Sequence, residues 1–544
     1  MITDHAALPS PKLPWKNWSG NLIHNPPNDG ADYYAYPTTK ADLQSVLSRA
    51  VKTGVPVRVS GQRHSQPPLV AADNRSAWPN TKLTTFLIDM SCYRDIYPDG
   101  IMLGPGPNQV TVNPGVREDN VDTFLTANNL MFKTATAGGF FSIGGMTAVD
   151  VHGATVAQPI FAETASAFTI MGPDGTETTI DADSPAENGW HPLQFVRVSL
   201  GGLGIVTRIT LDVAPRPCAT SLKGATRRFL AADKSSFVAA LKPMLSGPTK
   251  SDRMEVFYTP YAAKVGINNF LALTWDEVAN PTPRTPNQPV GSASPCALAD
   301  KGDFGAPFMT GLAEWGVQYV RASQLYNDPY NVFEFPPVPT SGFVAIGLDD
   351  IEKQAKAANA KFSDLWLAEA SQVMFMSYFV ELPDLADVGL GMVWDGLNAA
   401  GSIVAQNGPF HLAAPMEFRF IRGGDSAMSG TYTTTPGATF VNLDLIGFIE
   451  AVPSASYPAP LLKYFADVER IWVAMGGFPH NGKMYGFYDP AGAAGSFTGA
   501  FNPAFIADLA KRRGERLQAY AAYRKSVDPN GVFLNPYLAS LIGA

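Results

Sequence analysis

The chain has 544 residues, too many for one hydrophobic core, so at least two domains are expected. Apolar residues at 46% and charged residues at 16% exclude a disordered chain, and a net charge of -8 excludes a general nucleic-acid binder, which needs a basic surface. No stretch approaches the run of about 18 apolar residues that a membrane span requires. Residues Met1 to Asn17 hold no apolar core of signal-peptide length, and Cys92, Cys218 and Cys296 are spaced for neither a zinc site nor a disulfide framework. The expectation is a cytoplasmic protein without a metal, or a secreted one if a leader has been removed.

In chain order, Leu43, Val46, Leu47, Ala50 and Val51 share one face of a helix over 39–53, with Thr38 or Thr39 to cap its start and Gly54 to end it. Val55 to Ser60 reads as a strand that runs straight into Gly61-Gln62-Arg63-His64. A second helix is predicted over Val116 to Asn128, with Glu118 and Asp119 in the first turn, where the macrodipole favours them. Ala135 to Gly153 is rich in glycine and small residues, which let a ligand approach the backbone closely. Gly201 to Thr210 reads as a strand, and a domain boundary is placed near Pro215. Beyond it come a long loop over Asn280 to Gly305, helices over Ile351 to Phe362 and Pro460 to Met475, and strands over Met416 to Ile421 and Phe440 to Phe448. Phe505 to Val527 reads as one helix with arginine and lysine on its outer face, and Asp528 to Gly531 turns the chain into Val532-Phe533-Leu534-Asn535.

Neither a Gly-x-Gly-x-x-Gly unit opening a helix nor a P-loop is present. What stands in their place is an ordered set: Arg58-x-x-Gly61-x-x-His64, the small-residue segment ending Val151-His152-Gly153, and Gly201-Gly202-Leu203-Gly204-Ile205-Val206. Each alone is weak, since a lone histidine after a strand is most often a surface or hydrogen-bonded residue. Together they resemble the vanillyl-alcohol-oxidase flavoproteins with a PCMH-type FAD-binding domain. The nearest branch is the covalent-flavin cholesterol oxidases, with alditol and aldonolactone oxidases as relatives. Lys16-Asn17-Trp18-Ser19, Ser142-Ile143-Gly144-Gly145, Pro415-Met416-Glu417-Phe418-Arg419, Pro479-His480-x-x-Lys483 and Asp528-Pro529-x-x-Val532-Phe533-x-Asn535 carry the resemblance over nearly the whole chain.

The resemblance implies an α+β fold. A two-subdomain FAD-binding domain would cover 1–215 and a cap domain 216–500, the cap built on a large antiparallel sheet flanked by helices. A segment over 501–544 would return to the first domain. It implies FAD bonded through His64, with Arg58, Gly61, Gln62, Arg63 and Ser65 around that bond. Gly138, Gly139, Ser142, Ile143, Gly144 and Gly145 would follow the pyrophosphate, with His152 and Gly153 closing that segment. Gly204, Ile205 and Val206 would meet the adenine end, and Asn535 would lie near the ring, although such an asparagine is ordinarily a turn residue. The chemistry is consistent with a histidine bond, because neutral imidazole is a competent nucleophile toward the 8α position of an oxidised flavin. Gly61 permits the tight approach of that loop. Relatives that add a second bond use a cysteine near the glycine-rich segment; Ala135 to Gly153 holds none, so one bond is expected.

On the substrate side, Met416 to Phe420 alternates so that Glu417 and Arg419 share one face of a strand. Taken alone, that is a salt-bridged surface pair. The resemblance instead implies a cap strand over the flavin with Lys483 close by. Alcohol oxidation needs an acceptor for the hydroxyl proton and positive charge near the developing negative charge. Arg419 and Lys483 are therefore assigned as electrostatic stabilisers. Glu417 is the proton acceptor or the residue that orients Arg419 and gates oxygen. His480 is a partner behind them or a structural histidine, and Glu255 is an acidic pocket residue or, as its strand reads first, an exposed edge-strand glutamate. Val151 stands where close relatives carry alanine or glycine, and its bulk near the flavin would narrow the oxygen path and favour a dehydrogenase. The reaction implied is oxidation of an alcohol CH–OH with reduction of dioxygen to hydrogen peroxide, a sterol being the first substrate reading. A polyol, lactone or secondary metabolite is the alternative. Phe410, Leu412, Phe418, Phe420 and Phe448 suit an apolar sterol pocket or simply a core.

Overall fold

A computed structural model describes residues 15–24, 34–73, 75, 85–136, 139, 141–215, 220–248, 250–251, 253–259, 269–279, 344, 348–349, 351–353, 373–406, 414–449 and 452–544. The predicted loop over 280–305 lies outside them, as do Gly138, Phe410, Leu412 and most of the helix predicted over 351–362.

The fold is α+β. Its first layer is a small parallel sheet in the order Tyr34–Ala35, Phe86–Asp89, Val57–Ser60. The helix Lys40–Lys52 covers it with Leu43, Val46, Leu47 and Ala50 buried. That helix starts where the sequence predicts: the Thr39 side chain accepts from the Asp42 amide, and Asp42 returns the bond to the Thr39 amide. A second, antiparallel sheet runs Glu177–Ile180, Ala165–Met171, Ile205–Asp212, Gln109–Val112, Ile101–Leu103. The helix Glu118–Ala127 follows it in the predicted place, and the short helix Ile143–Ala148 packs against the strand Ile205–Asp212.

The large sheet begins after Pro215. Its strands run Thr220–Phe229, Phe270–Ala279, Arg253–Tyr258, Met416–Arg422, Thr439–Phe448, Val373–Leu382 and Phe478–Pro479, all antiparallel. Its two faces differ in chemistry. Phe418, Phe420, Leu443 and Leu445 are buried in the main core, where Phe418 meets Phe237 of the helix Lys234–Ser246 at 6.0 Å. The helices Asp387–Gln406 and Ala459–Ala474 complete that flank. The opposite face carries Glu417, Arg419, Asn442 and Asp444.

The predicted helix over 505–527 is two helices, Pro503–Arg513 and Glu515–Val527. Gly514, at φ 55, breaks it in a backbone conformation that glycine adopts cheaply. Nor are its cations all outward. Arg513, Arg516 and Arg524 are buried; Arg513 donates to Asn481 Oδ1 at 2.7 Å, and Arg516 to the carbonyls of Ala427 and Ser429 at 3.0 and 2.6 Å. The chain then comes back to the parallel sheet. Phe533 is buried in that sheet's core, and Val57 donates to the Val532 carbonyl at 2.8 Å. No helix among the described residues is long and apolar enough to cross a membrane.

Candidate functional site

The sheets meet around a cleft. One wall is the loop after the strand Val57–Ser60: Gly61, Gln62, Arg63, His64 and Ser65 all border the cleft. The strand ends at Ser60, and in the turn that follows Arg63 takes a left-handed conformation at φ 57. Its guanidinium meets the Tyr34 hydroxyl and lies 3.7 Å from Asp89, so the turn is held from behind by a buried ion pair. His64 follows directly. Its ring stacks on Trp18 at 4.2 Å and meets the edge of Phe141 at 4.7 Å. Burial, then the charges of Lys483 and His480, hold the imidazole well below the usual histidine range, so it is neutral at physiological pH. This is the protonation state that a nucleophilic histidine needs.

Arg58 borders the cleft, but its guanidinium is committed to main-chain carbonyls. It donates to Leu69 at 2.6 Å, Leu200 at 2.5 Å, Gly201 at 2.9 Å and Phe533 at 2.5 Å, and so braces the wall. Ser142, Gly144 and Gly145 form the adjoining wall, and Gly204 and Val206 its far end. The fit between these segments is close: a Cβ on Gly61 would lie 2.2 Å from Ser142 Oγ. Backbone and small side chains thus make a narrow slot, and among the described residues this is the part of the cleft suited to an extended cofactor such as FAD.

Several predicted site residues lie off the wall. Ile143 and Ile205 point into cores with no exposed surface, because alternate residues of an element at the wall face inward. Gly153 lies behind the wall, where a Cβ would meet Thr134 Oγ1 at 2.4 Å. Gly139 is buried at φ 66 and donates to Thr136 Oγ1, and Thr136 is the residue that reaches the cleft. Asn535 caps the helix Pro536–Ile542 and donates to the carbonyls of Pro68 and Leu69 at 2.8 and 3.2 Å. It therefore positions the 67–69 turn and does not itself face the cleft.

The facing wall is the polar side of the large sheet. Register decides which residues meet there. Ser377 pairs with Asp444 and Asp444 with Glu417, while Phe379 pairs with Asn442, Asn442 with Arg419 and Arg419 with Glu255. These are two adjacent rows on one face. Arg419, Asp444, Ser377, His152, His480 and Lys483 reach the cleft, as does Val151. Glu417 is fully buried behind Arg419, in close ion contact with it, and is not part of the wall. Glu255 is buried and 3.3 Å from Arg419, not on an exposed edge as the sequence suggests; its strand has neighbours on both sides. His480 stacks on Phe379 and its Nδ1 accepts from the Gly482 amide at 2.9 Å, which shapes the turn that carries Lys483. The Lys483 ammonium sits 4.2 Å over the Phe375 ring.

Glu417 and Asp444, buried side by side near one guanidinium, oppose each other's ionisation. Burial raises the Glu417 carboxyl against the pull of Arg419, and burial, then the Glu417 charge, pushes Asp444 up to about 6. Burial pushes Lys483 down to about 8. Arg419 is held above its ordinary range, because Glu255, Glu417 and Asp444 together outweigh its desolvation. Asp444, Ser377 and the Trp18–His64 stack are not singled out by the sequence reading. The available signal was Asn442 and Asp444 at alternate positions of an otherwise apolar strand.

The comparisons with known proteins point to the same cofactor. Residues 31–181 match the model of the FAD binding domain, and residues 395–541 match that of the D-arabinono-1,4-lactone oxidase family. The L-gulono-1,4-lactone dehydrogenase of Mycobacterium tuberculosis is 26% identical over 49% of this chain and 54% of its own length. The L-gulonolactone oxidase of Mus musculus is 24% identical over 37% of this chain and 40% of its own length. The chain thus spans about half the length, or less, of these curated relatives. The cholesterol oxidase of Brevibacterium sterolicum superposes with a TM-score of 0.68, covering 97% of this chain and 96% of its own, at 15% identity, a likeness of fold alone. Fold and cleft therefore define a flavoprotein with a PCMH-type FAD-binding domain. Within that class the chain is related to the aldonolactone oxidases.

Proposed function

We propose that the protein oxidises a CH–OH group of a hydroxyl-rich lactone or polyol, with FAD held through His64 and dioxygen as the final electron acceptor. The observation that carries this reading is that the segment resembling arabinonolactone oxidases, 395–541, delivers Arg419, Asp444 and Lys483 to the wall facing the His64 loop. FAD, when bound, supplies a two-electron acceptor for the hydride. The protein's residues do the rest. His64, kept neutral and stacked on Trp18, fixes the cofactor at one end of the slot. Arg419, oriented by Glu417 and Glu255, and Lys483 place positive charge where negative charge develops on the reduced ring and on the substrate oxygen.

The polar end also argues against a sterol. Arg419, Asp444, Ser377, His152, His480 and Lys483 make this end of the cleft polar, and an apolar ring system would leave any of them that lacks a protein partner stranded, at a cost of roughly 1–3 kcal/mol for each. The sterol reading rests on fold at 15% identity and is set aside. The test is flavin reduction without air by L-gulono-1,4-lactone, D-arabinono-1,4-lactone, xylitol and cholesterol. Bleaching by a lactone or polyol is expected, and bleaching by cholesterol alone would overturn the reading.

A further inference from the structure

Resting on the reading above, we infer that Asp444, rather than Glu417, is the catalytic base that takes the substrate hydroxyl proton. Position separates the two carboxylates. Both belong to one cross-strand row, but Glu417 is fully buried behind Arg419 and absent from the cleft wall, whereas Asp444 forms part of that wall beside Lys483. Engagement separates them too. Glu417 is tied to Arg419 by a close ion contact that fixes the guanidinium. Asp444 Oδ1 has no hydrogen-bond partner among the described residues, although the side chain is nine-tenths buried. Glu417 Oε2 is also without one, so it is the place of Asp444 in the cleft lining, which Glu417 does not share, that separates the two.

The surroundings suit the task. Asp444 is faced on its own sheet by Ser377, Glu417 and Arg419, with Glu255 behind Arg419, and from the 480–483 turn by Lys483 and His480, next to which lies His152. Burial and the Glu417 charge raise its carboxyl, while Arg419, Lys483 and the Ser377 hydrogen bond restrain the rise. The outcome, about 6, leaves a carboxylate at neutral pH with more proton affinity than an ordinary aspartate. In the step assigned, the substrate O–H bond breaks and its proton passes to an Asp444 oxygen. The C–H electron pair and hydrogen leave as hydride to the flavin, which is reduced by two electrons, and the carbon becomes a carbonyl. Dioxygen then takes the two electrons and, with two protons, leaves as hydrogen peroxide.

The test uses the flavin-loaded full chain and L-gulono-1,4-lactone as the probe, mixed without air across pH 4.5–9. The wild-type limiting reduction rate should fall on the acid side with a midpoint near that of Asp444, about 6. Asp444→Asn, with flavin content unchanged, should slow reduction by about 100-fold or more and abolish that acid limb. Glu417→Gln should keep the limb. Asp444→Glu should restore part of the rate, which a merely structural role would not do. Infrared titration of the resting protein should show a carboxylic-acid band with the same midpoint, missing from Asp444→Asn, a readout independent of turnover. If the lactone reduces the wild type and Asp444→Asn keeps both rate and acid limb, the inference is wrong while the functional reading stands. If neither lactones nor polyols reduce the wild-type flavin, the functional reading falls and takes the inference with it.

Discussion

The two walls of the cleft are built in opposite ways. The wall around His64, Ser142 and Gly204 is narrowest where backbone and small side chains meet, packed so closely that one added carbon at Gly61 has no room. The wall on the large sheet consists of long charged side chains whose protonation is set by one another. A cofactor that stays needs shape, and shape comes most rigidly from main chain. A substrate that reacts needs charge that responds to the reaction, which main chain cannot supply. Damage to the first wall should therefore appear as lost cofactor, and damage to the second as lost rate or an altered pH response.

The largest effect expected on the first wall is all-or-none. Acid-denatured wild type should stay yellow, and His64→Ala should release all of its flavin, read as absorbance left in the supernatant. Yellow pellets from the variant would move the attachment elsewhere. On the second wall, Arg419→Ala should lower the limiting rate of flavin reduction by about 100–1000-fold with a smaller change in substrate affinity. It also strands Glu417 and Glu255, so a loss of roughly 3–5 kcal/mol of stability is expected in denaturant melts. Wild-type reduction kinetics in a folded Arg419→Ala protein would remove the charged wall from the mechanism.

A finer test of the shape wall is Gly61→Ala. The new carbon meets Ser142 Oγ at 2.2 Å but Ser142 Cβ only at 3.4 Å. The single variant should lose about 1–3 kcal/mol and bind less flavin, and Ser142→Ala in the same chain should restore most of both. Failure of the second change to rescue the first would mean that the slot is not set by this contact. The smallest effect is on stability against pH. Asp444 has a folded value raised to about 6 from 3.8, so its contribution is present below about 4 and lost as pH rises through about 6. Asp444→Asn should gain about 2–4 °C in melting midpoint relative to wild type on going from pH 4 to pH 8. A constant difference across that range would show that the carboxyl is not held up by its surroundings.

The same contrast explains what was legible beforehand. The His64 loop and the helix capped by Thr39 are written in short stretches, so sequence pattern reaches them. The face shared by Glu417 and Arg419 follows from strand alternation alone. Asp444 and Glu255 join that face through strand pairings between distant segments, and no local pattern states which strand lies beside which. Arg513 and Arg516 look like solvent-facing cations on a basic helix for a similar reason. Their partners, Asn481 and the carbonyls of Ala427 and Ser429, come from a different part of the chain. The break at Gly514 is marked in the sequence by the glycine alone, because the apolar pattern continues across it.

The brace made by Arg58 bears on how the protein is made. Its acceptors include the Phe533 carbonyl, 475 residues downstream. At about 5–20 residues per second, a ribosome needs roughly 24–95 s to travel from one to the other. Throughout that time the parallel sheet lacks both Phe533 from its core and the carbonyl that closes the guanidinium's set. The nascent N-terminal part therefore lacks one acceptor of the Arg58 brace and one residue of its core, and cofactor loading is expected only after residue 533 has emerged. Stalled or prematurely ended chains should reach the cell's quality-control machinery as colourless protein.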